Sequence, residues 1–168
     1  YKERGELFTE NLLHGQKVYG EKLVKIGGKE FRHWDPTRSK LAAAILKGLK
    51  ELPATSGFQI LYLGASTGTT VSHLSDIVKD IGIVYAVEFS ERVFRSLMDL
   101  SNKRRNVVPI LADARKPETY RWIEETDMVY VDLAQPDETQ IAIRNVKEFL
   151  KDSGLLFMAI KSQSIDVT

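Results

Sequence analysis

At 168 residues the chain is one domain's worth of sequence, and 43% hydrophobic content is enough to bury a core. Lys and Arg total 24 against 23 Asp and Glu, a net charge of +1, which excludes a global positive field and leaves RNA binding to local patches or partners. Cys is absent, which excludes disulfides, thiolate metal sites and cysteine catalysis; with no signal-like segment or long apolar run, the chain reads as soluble, intracellular and without a membrane partner. His14, His33 and His73 lack metal-ligand spacing, so no metal is expected and each reads as a surface or packing residue.

Residues 1–34 differ in kind from the rest and form the expected N-terminal β region. Lys17 to Ile26 and Lys29 to Trp34 alternate around Gly27-Gly28, which predicts a β-hairpin. Asp35 and Pro36 supply an N-cap and a proline at the first helical position, predicting a helix that runs to Leu49 and stops before Pro53. Lys40 falls in its first or second turn, where the helix dipole disfavours a cation; it is either a functional lysine or a solvated one.

From Gln59 strands and helices alternate, which predicts a parallel sheet wound by right-handed crossovers, an α/β Rossmann-like domain over 35–168. Ile60-Leu-Tyr-Leu63 suits a strand buried on both faces. Gly64 and Gly68 then open a loop, and Thr69 and Thr70 begin a helix running to Lys79. The first N–H groups of that helix and the threonine hydroxyls are free to meet an anionic ligand group. The spacing Gly-x-x-x-Gly-Thr-Thr lacks the lysine of a P-loop and the third glycine of a dinucleotide fingerprint, so pyrophosphate is not the obvious ligand. A nicotinamide-dependent oxidoreductase, which would share the sheet, is disfavoured on that ground.

Ile83 to Phe89 is the second strand, and Glu88 near its end stands where such folds bind a ribose diol. Ser90 caps a helix over Glu91–Lys103 with Val93, Phe94, Leu97 and Leu100 as its buried stripe. Lys103-Arg104-Arg105 either touches phosphates or complements the helix dipole. Val107 to Leu111 contains Pro109, which cannot donate to a ladder and so predicts an edge strand, in agreement with the strand order 3-2-1-4-5. Asp113 follows, where an acid can accept from an adenine amino group. A short helix near 117–123, a strand over Met128–Val131 ending at Asp132, a helix over Asp137–Leu150 and a fifth strand over Leu155–Ile160 ending at Lys161 complete the reading. Glu88, Asp113, Asp132 and Lys161 thus share the carboxyl rim of the sheet, and Asp132 and Lys161, on neighbouring strands, are placed to pair, as a site or as a structural salt bridge.

The segments Tyr-Leu-Gly-Ala-Ser-Thr-Gly-Thr-Thr-Val-Ser-His, Val-Tyr-Ala-Val-Glu-Phe, Arg-Arg-Asn-Val-Val-Pro-Ile-Leu-Ala-Asp-Ala, Asp-Leu-Ala-Gln-Pro and Ala-Ile-Lys-Ser-Gln-Ser-Ile-Asp-Val-Thr, with Val18-Tyr-Gly-Glu21 and Arg38-Ser-Lys-Leu-Ala-Ala-Ala-Ile45, resemble those of fibrillarin, specifically the archaeal fibrillarin-like RNA 2′-O-methyltransferases. The resemblance covers nearly the whole chain. It implies a Rossmann-like methyltransferase fold and S-adenosylmethionine as donor, with methyl transfer to the ribose 2′-hydroxyl of rRNA or tRNA targets selected by box C/D guide RNAs. The implied partners are guide and target RNA, a coiled-coil scaffold protein and a kink-turn-binding protein. The implied location is the cytoplasm of an archaeon, or the nucleolus of a eukaryote.

Carried to matching positions, the resemblance implies donor binding by Gly64, Ala65, Gly68, Thr69, Thr70, Glu88, Phe89, Asp113, Ala114, Asp132, Leu133, Ala134 and Gln135. Thr69 and Thr70 would meet the methionine end, Glu88 the ribose, and Phe89, Asp113 and Ala114 the adenine, with the loop 132–135 beneath the sulfonium. The family's Lys-Asp-Lys-His set maps to Lys40, Asp132 and Lys161, where Lys161 accepts the hydroxyl proton or, kept charged, stabilises oxyanion character. None of the three histidines matches the fourth member, so the chain is expected to be C-terminally incomplete, lacking the last strands of the sheet. The alternative function is a non-catalytic scaffold that retains the methyltransferase fold.

Overall fold

Strand β5 (Gln59–Leu63) is the one against which both layers of the protein are laid. Successive side chains of a strand point to opposite faces, and here both faces are buried. Ile60 and Tyr62 enter one cluster with Val71, Leu74 and Val78 of helix α2 (Thr69–Val78) and Leu97 and Leu100 of α3 (Glu91–Lys103). Leu61 and Leu63 enter the other, with Tyr120 of a 3-10 turn (Pro117–Tyr120) and Ile141, Ala142 and Phe149 of α4 (Glu138–Phe149). Each fully buried Leu or Ile contributes about 1.5–3 kcal/mol relative to exposure.

In the computed structural model, which describes residues 1–49, 52 and 54–160, β5 pairs in parallel with β6 (Ile83–Glu88) and β8 (Thr126–Val131). β7 (Val107–Leu111) flanks β6 and β9 (Leu150–Met158) flanks β8, so the order is the expected one with Pro109 on an edge strand. α3 spans the predicted residues, although Val93 and Phe94 are only half-buried. α4 ends at Phe149, and the last strand starts at Leu150 rather than Leu155. It accommodates the early start through an irregular register between Thr126 and Met128 of β8.

The N-terminal region is a four-stranded antiparallel sheet in the order β1-β2-β4-β3: β1 (Lys2–Glu3), β2 (Glu6–Glu10), β3 (Leu23–Ile26) and β4 (Lys29–His33). The predicted hairpin is present, with Gly27 and Gly28 at φ 57° and 81°, the signs a two-residue turn requires. Its first strand starts at Leu23, not Lys17, because the Glu21 carboxylate accepts from the Val18 and Tyr19 N–H groups (3.0 and 2.8 Å) and folds the preceding loop back. β2 carries no strict alternation of its own. Its pairing with β4 makes it a strand.

Helix α1 (Lys40–Leu46) also starts later than expected. The Asp35 carboxylate accepts from the Thr37 N–H and hydroxyl (2.8 and 2.7 Å), a turn that competes with helix. Ser39 is the N-cap instead, its hydroxyl accepting from Ala42 N–H.

The two sheets are joined by buried charge. Asp76 of α2 lies at the centre: Oδ1 accepts from Arg104 Nη1 (2.7 Å) and Leu12 N–H (3.0 Å), and Oδ2 accepts from the Thr9 hydroxyl (2.7 Å) and faces Arg32 Nε at 3.0 Å. Arg32 also faces Glu21 (3.1 Å) and donates to the Ser72 hydroxyl (2.8 Å); its Nε and Nη1 contacts are charge pairs rather than aligned hydrogen bonds. His73, wholly buried, stacks on Trp34 and bonds the Thr9 and Tyr19 hydroxyls, both at 2.7 Å. Burial first, then the Arg32 and Arg104 guanidiniums and His33, holds His73 well below the usual histidine range.

Removing one partner of a buried ion pair costs about 3–5 kcal/mol. Asp76→Ala leaves Arg104 without a carboxylate and Arg32 with Glu21 alone, so urea denaturation should show stability falling by that order, through a lower midpoint at unchanged slope; a loss under about 1 kcal/mol would refute a central role for Asp76. Neutral His73 is favoured in the folded state, so the unfolded chain binds the extra proton as pH falls. Its contribution is fully present above about pH 6.5 and declines below by up to about 1.4 kcal/mol per pH unit. The melting temperature should therefore drop from pH 7.5 to pH 5, and His73→Gln should flatten that drop; equal drops in both proteins would contradict the assignment.

Candidate active site

Leu63 ends β5 at the carboxyl rim, and the chain turns at once because Gly64 adopts φ 85°. A Cβ there would lie 2.4 Å from the Asp132 carbonyl oxygen, so only glycine lets the ends of β5 and β8 approach this closely. Gly64 and Ala65 N–H both donate to Val87 C=O at 3.0 Å, pinning the loop to β6. Gly68, at φ 87°, caps α2; a Cβ would meet Leu100 Cδ2 at 2.6 Å, so this glycine seats the helix against α3.

Two recesses open along the rim, and the residues singled out from the sequence divide between them. The first is lined by Glu88, Phe89, Asp113, Ala114, Leu133 and Gln135. Glu88 is almost fully buried: one carboxylate oxygen accepts from Ser66 N–H and the other from Ser90 N–H, both at 2.8 Å, leaving further lone pairs for a ligand hydroxyl. Asp113 Oδ1 accepts from Arg115 N–H (2.9 Å), and the Arg115 guanidinium forks onto Asp137 (2.8 Å twice), tying together the two walls of the recess. Gln135 Oε1 is buried without a hydrogen-bond partner and lines the same recess. Phe89 is 63% exposed, an aromatic face at its mouth.

The second recess, about 250 Å³, is lined by Tyr62, Ala65, Ser66, Thr67, Thr69, Thr70, Arg38 and Asp132, and Gly64 belongs to both. Thr70 lines it, but its hydroxyl donates to the Ser39 hydroxyl (2.9 Å), so its proton is committed to holding α1 on α2 and Thr69 is the freer threonine. Lys40, at the first position of α1, donates to Asp132 Oδ1, and Tyr62 donates to Oδ2 at 3.3 Å. Burial and the neighbouring Asp132 charge raise the Tyr62 pKa well above its usual range, so the phenol stays protonated as a donor.

The loop expected to act as one unit is split. Asp132 faces the second recess, Leu133 and Gln135 the first, and Ala134 is exposed and lines neither. Lys161, with the Asp132–Lys161 pairing anticipated from the strand order, lies outside the described residues. Among the described residues the partner of Asp132 is Lys40, whose side chain is partly exposed. Sequence reasoning passed over Tyr62, Arg38 and Ser66. Arg38 precedes Lys40 by two positions in a segment already noticed, whereas nothing local marks Ser66, which takes φ 50°. Among the described residues no three His, Asp or Glu gather to hold a metal.

The rim has close counterparts in known proteins. The family model described as Fibrillarin matches residues 1–168. A fibrillarin-like rRNA/tRNA 2′-O-methyltransferase of Sulfolobus acidocaldarius is 57% identical over 163 residues, covering 96% of this chain and 71% of the relative. Among solved structures, Aeropyrum pernix fibrillarin in complex with natively bound S-adenosyl-L-methionine superposes with a TM-score of 0.91 at 52% identity, covering 97% of this chain and 71% of that one. A fibrillarin/Nop5p complex gives a TM-score of 0.82 at 46% identity, covering 92% and 72%. The strand order, the glycine loop with its acid on β6, and a match over the full chain agree, and the chain belongs to the fibrillarin family.

Proposed function

We propose that this chain binds S-adenosylmethionine across the two recesses and transfers its methyl group to the ribose 2′-hydroxyl of rRNA or tRNA. In this reading it is the catalytic subunit of a ribonucleoprotein in which box C/D guide RNAs choose the target, and a coiled-coil scaffold protein and a kink-turn-binding protein complete the particle. The observation that carries the proposal is that Asp132, paired with Lys40, lines the same recess as the glycine loop, contiguous through Gly64 with the recess that Glu88 lines.

The residues present fit the donor. The unpartnered Gln135 Oε1 and the Asp113 carboxylate are acceptors suited to an adenine amino group, Glu88 is an acceptor for ribose hydroxyls, and Phe89 offers a ring face for the base. Thr69 and the adjoining loop face the methionine end. When bound, the donor supplies an electrophilic methyl on a positively charged sulfonium. The protein's task is then alignment of the two reactants. Lys40, held at the recess by Asp132, is set to receive the target ribose or its neighbouring phosphate and to stabilise charge on the attacking oxygen. Lys161 follows β9, the neighbour of the strand that carries Asp132, and accepts the hydroxyl proton or, charged, shares that stabilising role.

Hydrogen bonds to a charged acceptor contribute about 1.5–3 kcal/mol. Calorimetric titration should therefore show saturable S-adenosylmethionine binding that Glu88→Gln weakens by about tenfold or more, and no binding of NAD; a preference for NAD would reverse the reading. In a particle reconstituted with guide RNA and saturated with donor, Asp132→Asn should lower radiolabelled methyl transfer by roughly 10²–10⁴-fold. Transfer at the unsubstituted rate would remove Asp132 from the mechanism, and donor binding without transfer by the unsubstituted protein would make it a scaffold.

A further inference from the structure

A larger cleft, about 410 Å³, adjoins the second recess and shares Arg38, Thr67 and Thr69 with it. Its walls come from four separate parts of the chain: the loop before β3 with Lys17 and Tyr19, the turn before α1 with Arg38, the loop into α2 with Thr67 and Thr69, and the last turns of α3 with Asp99 and Lys103. The Arg38 guanidinium lies 5.1 Å from the centre of the Tyr19 ring. That ring is fixed in turn, since the Tyr19 hydroxyl bonds the His33 C=O (2.8 Å) and His73 Nε2 (2.7 Å). A cation–π contact of this kind positions a guanidinium without neutralising it.

The charge in the cleft is mostly unspent. Among the described residues no salt bridge engages Lys17, Arg38 or Lys103, all three of which are exposed. Arg104 also reaches the lining, but its guanidinium is committed to Asp76. The single acid of the lining is Asp99. Three converging cations against one carboxylate, beside threonine hydroxyls and a half-exposed aromatic ring, match a chain of phosphodiesters with sugars between them better than an apolar or cationic ligand.

We propose that this cleft holds the phosphodiester backbone of the acceptor RNA strand beside the ribose that is methylated. The inference rests on the reading of the adjoining recess as the methyl-transfer site. Because the two spaces share Arg38, Thr67 and Thr69, a strand seated in the cleft presents its next ribose toward Asp132 and Lys40. Lys17 and Lys103 act as phosphate contacts that set position and carry no sequence preference, which leaves target choice to base pairing elsewhere.

The test is fluorescence anisotropy of this chain, saturated with S-adenosylmethionine, against a fluorescein-labelled twelve-nucleotide oligoribonucleotide over a range of salt concentrations. Lys17→Ala/Lys103→Ala is the variant, and Arg38 is left in place because it also lines the transfer recess. Each phosphate contact on a single strand contributes about −0.7 to the slope of log affinity against log salt, so the double variant should be shallower by roughly 1.4. A parallel donor titration reports the fold. An unchanged slope with unchanged donor affinity overturns this inference alone, as does an absence of RNA binding by the unsubstituted chain at low salt. Failure of the unsubstituted chain to bind the donor would refute the proposed function instead, while the slope difference, measured without donor, still decides the cleft.

Discussion

One carboxylate, that of Asp76, takes two guanidiniums, a hydroxyl and a backbone N–H out of water at once, and the relation between the two sheets depends on it. Arg104 is costly in a buried position without that charge, Arg32 shares it with Glu21, and Asp76 is equally costly without the two guanidiniums. The N-terminal sheet supplies Arg32 and Thr9, the end of α3 supplies Arg104, and α2 supplies the acid. Since α2 begins at the glycine loop, the network that joins the sheets also fixes the helix whose first turn faces the candidate site.

The rim repeats the same economy of means with backbone donors. Glu88 holds the loop before α2 through Ser66 and the start of the next helix through Ser90, so its carboxylate is immobilised before any ligand arrives. Preorganisation of that kind removes an ordering cost from binding. Arg115 does the equivalent for the Asp113 side of the same recess by bridging Asp137 to the Asp113 loop. Gly64 is the point where the two recesses meet, and the absence of a Cβ, which would lie 2.4 Å from the Asp132 carbonyl oxygen, is required by that close approach as well as by the turn.

Charge is distributed by element. The Lys103-Arg104-Arg105 triplet, ambiguous as a sequence, is divided by the helix end: Arg104 turns inward to Asp76, whereas Lys103 lines the large cleft. A protein with a net charge of +1 thereby presents a local cationic groove beside the recess lined by Asp132 without a global positive field.

Periodicity and punctuation in the sequence determined the parallel sheet, its order and the residues on its rim. Ile60 to Leu63 is apolar at every position because it is buried on both faces, Pro109 can occupy only an edge, and Gly27-Gly28 demands a reversal. Glu88, Asp113 and Asp132 were placed by the same logic, as the residues where strands end. What local chemistry cannot specify is partnership across the chain. Lys40 and Asp132 are 92 positions apart, His73 and Thr9 are 64 apart, and Arg32 reads as an ordinary surface residue of a short strand. The tertiary structure decided that Lys40 is paired with Asp132, that His73 is buried, and that Arg38 borders two clefts. These outcomes depend on which charges folding brings out of water together, and burial is a property of the assembled layers and not of any segment within them.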